Sequence, residues 1–114
     1  MAKVSGRVTV DGKPAPQAVV QFVPDRSKGT DGPPGIGCTD QNGHYELWTT
    51  SEEGAVIGFH RVVVRDNRGW DPETNQGPAP LFPIRYSRTN ESGLTAEVKA
   101  DQKNVVDLAL TSKP

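Results

Sequence analysis

The stretch TDQNGHYELWTT, residues 39–50, decides the fold class. Asp40-Gln41-Asn42-Gly43 is a strong hairpin signal, because Asn-Gly accepts the positive φ of a tight turn. The residues after it alternate strictly, with Tyr45, Leu47 and Thr49 on one face and His44, Glu46 and Trp48 on the other. A period of two marks a half-buried strand. Upstream, Ile36 to Thr39 reads as a short strand. Ala18 to Val23 reads as another, with Val20 and Phe22 pointing one way and Val19, Gln21 and Val23 the other, and Pro24 ends it. Val4, Val8 and Val10 share a parity in the first strand, and Gly6 takes the remaining inward slot. Asp11-Gly12 marks a turn. Pro14 and Pro16 keep the next stretch extended and off any central ladder.

Downstream the same rhythm continues. Residues 51–58 read as a connector, and Phe59 to Arg65 as a strand centred on Val62-Val63-Val64. Ile84 and Tyr86 are predicted to share a face of a brief strand. Leu94, Ala96 and Val98 line one further strand, and Val106, Leu108 and Leu110 line the last. Two polar loops interrupt the pattern, residues 25–35 and 66–82. The second carries three prolines and two glycines and is long for a small domain, a length that usually serves function. No segment holds a 3.6-residue period over ten residues. The pattern predicts seven or eight short strands in an all-β sandwich, with the core on inward Val, Ile, Leu and Phe.

Composition agrees. The 114 residues suffice for one domain and one core. Valine outnumbers leucine 13 to 5, which favours strands over helices. Thirteen Lys and Arg against fourteen Asp and Glu give a net charge of -1. That balance argues against a phosphate-driven nucleic-acid binder and against an acidic disordered tail. No apolar run is long enough to span a bilayer, so direct membrane insertion by this segment is not expected. The one cysteine, Cys38, has no partner for an internal disulfide and reads as a small, semi-buried strand residue.

Three segments carry a resemblance. Val4-Ser5-Gly6-Arg7-Val8, Asp11-Gly12-Lys13-Pro14 and Ala18-Val19-Val20-Gln21-Phe22-Val23-Pro24 together resemble the opening of carboxypeptidase regulatory-like domains. Thr39-Asp40-Gln41-Asn42-Gly43-His44-Tyr45-Glu46-Leu47 is similar to their T-D-x-x-G-x-[YF]-x-L hairpin, and Gly58 to Val64 to the strand that follows. The tail, from Phe82-Pro83-Ile84-Arg85-Tyr86 through Ser92 to Val98 and Asn104 to Leu110, resembles small bacterial predicted lipoproteins with one such domain. The resemblance covers nearly all of residues 4–111, within a single domain of 1–114. It implies a seven- to eight-stranded antiparallel Greek-key β-sandwich of the transthyretin-like (prealbumin-like) class. It also implies export and envelope tethering through a lipid-bearing cysteine upstream, hence an extracytoplasmic location, periplasmic or at the cell surface. It brings no established activity, and a fold does not supply one.

Each enzyme reading lacks a part. Intradiol dioxygenases, on a related fold, hold iron with two Tyr and two His. His44, Tyr45, His60 and Tyr86 contain no His-x-His pair, and His44 and Tyr45 point to opposite faces. Transthyretin-like hydroxyisourate hydrolases end in Tyr-Arg-Gly-Ser, whereas this chain ends Thr111-Ser112-Lys113-Pro114. Neither a zinc-peptidase H-x-x-E nor a Gly-x-Ser-x-Gly is present. An isopeptide crosslink needs an inward lysine and acid, and Lys3 and Asp107 fall on the outward parity. Asp40-x-Asn42-Gly43 copies part of a calcium loop without its distal bidentate acid.

What is left points to binding. Trp70, between Gly69 and Asp71, is the candidate anchor for a sugar or a protein, with Asp71, Asn75 and Gln76 as hydrogen-bonding neighbours. Trp48 reads as a cover for the outer sheet. Tyr86 reads as core, with its hydroxyl on a backbone partner. The expectation is a non-catalytic structural or binding module of the bacterial envelope with no cofactor. Its partner is a glycan or an envelope protein. The rivals are a carbohydrate-binding module using the 66–82 loop and, behind it, a small enzyme of the same fold.

Overall fold

The computed structural model describes residues 2–50, 52–66, 82–89 and 91–111. Among these residues eleven strands run in chain order: β1 Val4–Val10, β2 Lys13–Pro14, β3 Ala18–Pro24, β4 Gly35–Cys38, β5 His44–Glu46, β6 Trp48–Thr49, β7 Glu52–Glu53, β8 Gly58–Asp66, β9 Leu94–Val98, β10 Asn104–Val105 and β11 Leu108–Leu110. Two short 3₁₀ turns lie at Arg26–Lys28 and Ile84–Ser87, and no α-helix occurs among the described residues. The strands form two sheets. The larger runs β7-β6-β4-β3-β8-β9, antiparallel throughout. The smaller is built around β1, with β2, β5, β10 and β11 on its edges. The all-β expectation therefore holds, with a core of inward side chains from both sheets.

The parity of β1 and β3 is as expected. Val8, Val20 and Phe22 are fully buried, and so are Val62 and Val64 of β8. Asp11 (φ 52°) and Gly12 (φ 83°) make the two-residue turn that returns β1 into β2, and Pro14 sits on the outer edge, where a missing N–H costs nothing.

Four expectations need correction. β10 and β11 pair with β1 in parallel, so the sheets are not purely antiparallel. The two ends of the chain meet there, and a pairing without a hairpin has no need to be antiparallel. Ile36 is 46% exposed, because β4 gives its inward slots to Gly35 and Gly37. Ile84 and Tyr86 belong to a 3₁₀ turn, not a strand. Pro83 starts it, and its carbonyl accepts from the Tyr86 N–H at 3.2 Å. The 51–58 connector contains β7, and its Ala55 is fully buried where it bridges to Ala2.

The segment 44–49 is not one strand within one sheet. β5 pairs with β1 in the smaller sheet, and β6 pairs with β4 in the larger. Leu47 is the hinge between them. Its N–H donates to Val4 (3.0 Å), and its carbonyl accepts from Gly54 (2.7 Å). Close approach at this hinge requires glycine at position 37: a Cβ there would lie 2.3 Å from the Glu46 carbonyl oxygen.

A second close approach explains Gly6. Between β10 and β11 the chain breaks step, and the Asp107 carboxylate replaces a backbone acceptor for the Arg7 N–H (3.1 Å). The Val106 carbonyl turns inward over Gly6 and accepts the Tyr45 hydroxyl at 2.5 Å. A Cβ on Gly6 would sit 1.8 Å from that oxygen.

Most buried polar side-chain atoms are bonded, as the dry interior demands; the His60 Nδ1 and the Arg85 Nε are the exceptions, with no partner among the described residues. The Thr39 hydroxyl donates to Ala15 and accepts from the Ala18 N–H. The Thr49 hydroxyl donates to Gly54, and Asn104 holds both the carbonyl and the N–H of Lys99. His60, 1% exposed, lies against Phe22 with its Nε2 on the Val56 carbonyl (2.8 Å).

Candidate functional site

The hinge at Leu47 shapes the site. Because one strand leaves the smaller sheet and enters the larger, the outward faces of both sheets meet along it. His44, Glu46 and Trp48 point outward in succession, while Tyr45, Leu47 and Thr49 point into the core. Along this line lies an open groove of about 980 Å³. Ser5 and Arg7 of β1 line it on one side, and Ile36 and Cys38 of β4 on the other.

Three large apolar side chains stand exposed in the groove: Trp48 (50%), Ile36 (46%) and Val105 (65%). Trp48 and Ile36 are registered partners across β6 and β4. Val105 is set apart from them, registered with Ser5, which in turn faces Glu46. The groove is therefore amphipathic, with a Trp–Ile pair at one end and polar rows beyond it.

The rim carries Asp40, Glu46 and Asp107 against Arg7. Two of the three carboxylates are already occupied. The Asp40 carboxylate accepts from the backbone N–H groups of Asn42 (2.8 Å) and His44 (3.0 Å). The His44 N–H in particular, joined by that of Asn42 and the charge of Arg7, holds Asp40 below the ordinary aspartate range. Asp107 accepts from the Arg7 backbone, and the Arg7 Nε donates to the Asn42 carbonyl (2.9 Å), fixing the guanidinium beside the turn. The Glu46 carboxylate, the His44 ring and the Trp48 indole N–H make no hydrogen bond among the described residues.

Tyr45 lies under the groove. Burial pushes the Tyr45 phenol far above its ordinary value, aided by the Asp107 charge, and its proton is committed to Val106. The Cys38 thiol rests on the Thr39 carbonyl at 3.8 Å and makes no hydrogen bond to His44. The arrangement presents an aromatic platform beside an acceptor, a donor and an imidazole, which is binding chemistry.

Trp70, Asp71, Asn75 and Gln76 lie outside the described residues. Trp48, read from the sequence as a cover for the outer sheet, is on the outward face and half-exposed. Cys38 is exposed, not semi-buried, because β4 alternates and its inward slots belong to Gly35 and Gly37. Tyr86 is buried against Phe82, and its hydroxyl accepts the Thr111 N–H at 3.2 Å, a backbone partner as expected. His44, His60 and Tyr86 are not brought together: the groove takes His44, the core takes His60, and Tyr86 sits near Thr111. The signal for the groove was present in the alternation of His44, Glu46 and Trp48. The hinge that makes their face concave was not. No protein-family model matches this chain, and no curated protein matches it.

Proposed function

We propose that the protein is a non-catalytic binding module of the bacterial cell envelope, with the groove around Trp48 as its contact surface. The fold reading that goes with this is a transthyretin-like (prealbumin-like) Greek-key sandwich of the carboxypeptidase regulatory-like class. Two sheets joined at Leu47 support it, and so does the resemblance of residues 4–111. The envelope location rests on that same resemblance. The observation that carries the function is a tryptophan left half-exposed on a strand, not on a loop, next to polar groups with no hydrogen-bond partner among the described residues. A fixed aromatic loses little entropy on binding, which makes it an efficient anchor.

Retention on insoluble envelope preparations tests the reading. The wild-type chain is expected to co-sediment with purified bacterial cell-wall sacculi or outer-envelope fractions. Trp48→Ala, with unchanged thermal stability, is expected to lower the bound fraction about tenfold. Equal retention of Trp48→Ala and wild type, or no retention of either, would overturn it.

A further inference from the structure

We infer that the groove binds a neutral polysaccharide, with one pyranose ring on the face of Trp48 and its neighbours' hydroxyls on Glu46 and His44. The inference rests on the groove being the contact surface. It is argued from what the groove leaves unsatisfied.

His44, Glu46 and Trp48 point outward at alternate positions across β5 and β6, spanning at most about 13 Å. That is the length of about two to three linked sugar rings. Trp48 offers a flat apolar face for the C–H side of a ring, and Ile36 beside it widens the apolar floor. The remaining groups are of mixed type. The Glu46 carboxylate only accepts, the indole N–H only donates, and the His44 ring does either. Sugar hydroxyls donate and accept at once, so they can satisfy all three.

Charge narrows the class. With Asp40 and Asp107 held by backbone N–H groups, the groove still carries three carboxylates to one guanidinium. Uronic-acid polymers, phosphate headgroups and nucleic-acid backbones are repelled. The same field would attract a polycation, but among the described residues only Glu46 is free to pair with one directly, and the Trp48–Ile36 pair offers it no charge. A protein partner would want one continuous apolar centre. Here Val105 is separated from the Trp48–Ile36 pair by Ser5 and Glu46.

The test is a titration of the intact chain with cellohexaose, maltohexaose, xylohexaose and hexa-N-acetylchitohexaose, and with hexagalacturonate as the acidic arm. It is read by the Trp48 indole N–H resonance and by calorimetry. At least one neutral hexamer is expected to shift that resonance. Trp48→Ala should weaken its binding about thirtyfold or more. Glu46→Gln and His44→Ala should weaken it about threefold to tenfold, Trp70→Ala by less than about twofold, and hexagalacturonate should bind at least about tenfold more weakly. If none of the four neutral hexamers binds while Trp48→Ala still abolishes envelope retention, the sugar inference falls and the contact surface stands. If a hexamer binds Trp48→Ala as well as wild type, the site lies elsewhere and the inference falls. If neither a hexamer nor the envelope fraction is bound, both fall.

Discussion

The two faces of residues 44–49 behave as different materials. Tyr45, Leu47 and Thr49 are at most 2% exposed, and the polar atoms of Tyr45 and Thr49 are bonded to backbone. Their neighbours one step along the chain, His44, Glu46 and Trp48, are exposed, and their side chains make no hydrogen bond among the described residues. The same backbone thus carries a face whose every atom is specified by its surroundings and a face that the fold leaves open. Packing leaves almost no freedom inside, where density matches that of a crystal. Outside, stability scarcely constrains the choice of residue, so an exposed tryptophan there needs another reason.

Substitutions on the two faces should separate sharply. The largest effect is expected just beneath the inward face. Gly6→Val places carbon atoms where the Val106 carbonyl sits, and chemical denaturation should show a loss beyond about 4 kcal/mol or no folded protein at all. A stable Gly6→Val protein would mean that the junction of Gly6, Tyr45 and Val106 does not hold the ends of the chain together. Next comes Leu47→Ala at the hinge, expected to cost about 2–5 kcal/mol in urea denaturation, since Leu47 is fully buried and borders both sheets. Tyr45→Phe keeps the ring and removes one hydroxyl. It leaves the part-buried Val106 carbonyl without that donor, and a loss of about 1 kcal/mol is expected.

The outward face should respond weakly in stability and strongly in binding. Trp48→Ala is expected to stay within about 0.5 kcal/mol of wild type. A larger loss would move Trp48 into the structural class and break the contrast. The smallest effect concerns pH. Asp40 has its carboxyl depressed in the folded state, so its contribution is present above the unfolded aspartate value and is lost as pH falls through the lower folded one. Stability should therefore decline on acidification below about pH 4, and Asp40→Asn should remove part of that dependence. An identical pH profile in Asp40→Asn would show that the turn does not depend on this charge.

Much of the fold was legible because strands with one wet face advertise themselves. The alternation at Val4, Val8 and Val10, at Val20 and Phe22, and at Tyr45 and Leu47 reported inward positions correctly, since a one-residue slip would have turned every apolar side chain into water. Ile36 lies outward because its inward neighbours are glycines, and residue type alone does not reveal that two glycines hold the core slots. The turn at 84–87 misled because two apolar residues two apart suit a strand as well as the edge of a 3₁₀ turn. The candidate site shifted most. Trp70 drew attention by its odd, proline-rich setting, whereas Trp48 looked ordinary on a regular strand.

Local alternation, turn residues and composition were enough to specify an all-β chain and the inward set of each main strand. These are short-range properties, set by backbone sterics and by which side chains avoid water. Only the tertiary structure decided that β10 and β11 run parallel to β1, that residues 44–49 pass from one sheet to the other, and that a groove forms where they do. Each depends on which strands meet across long stretches of chain, and the alternation along one strand says which face is inward but not which strand lies beside it. The indole of Trp48 is exposed for that reason. Its strand is pinned at Leu47 by hydrogen bonds to Val4 and Gly54, and the bend leaves its outward face open along the groove.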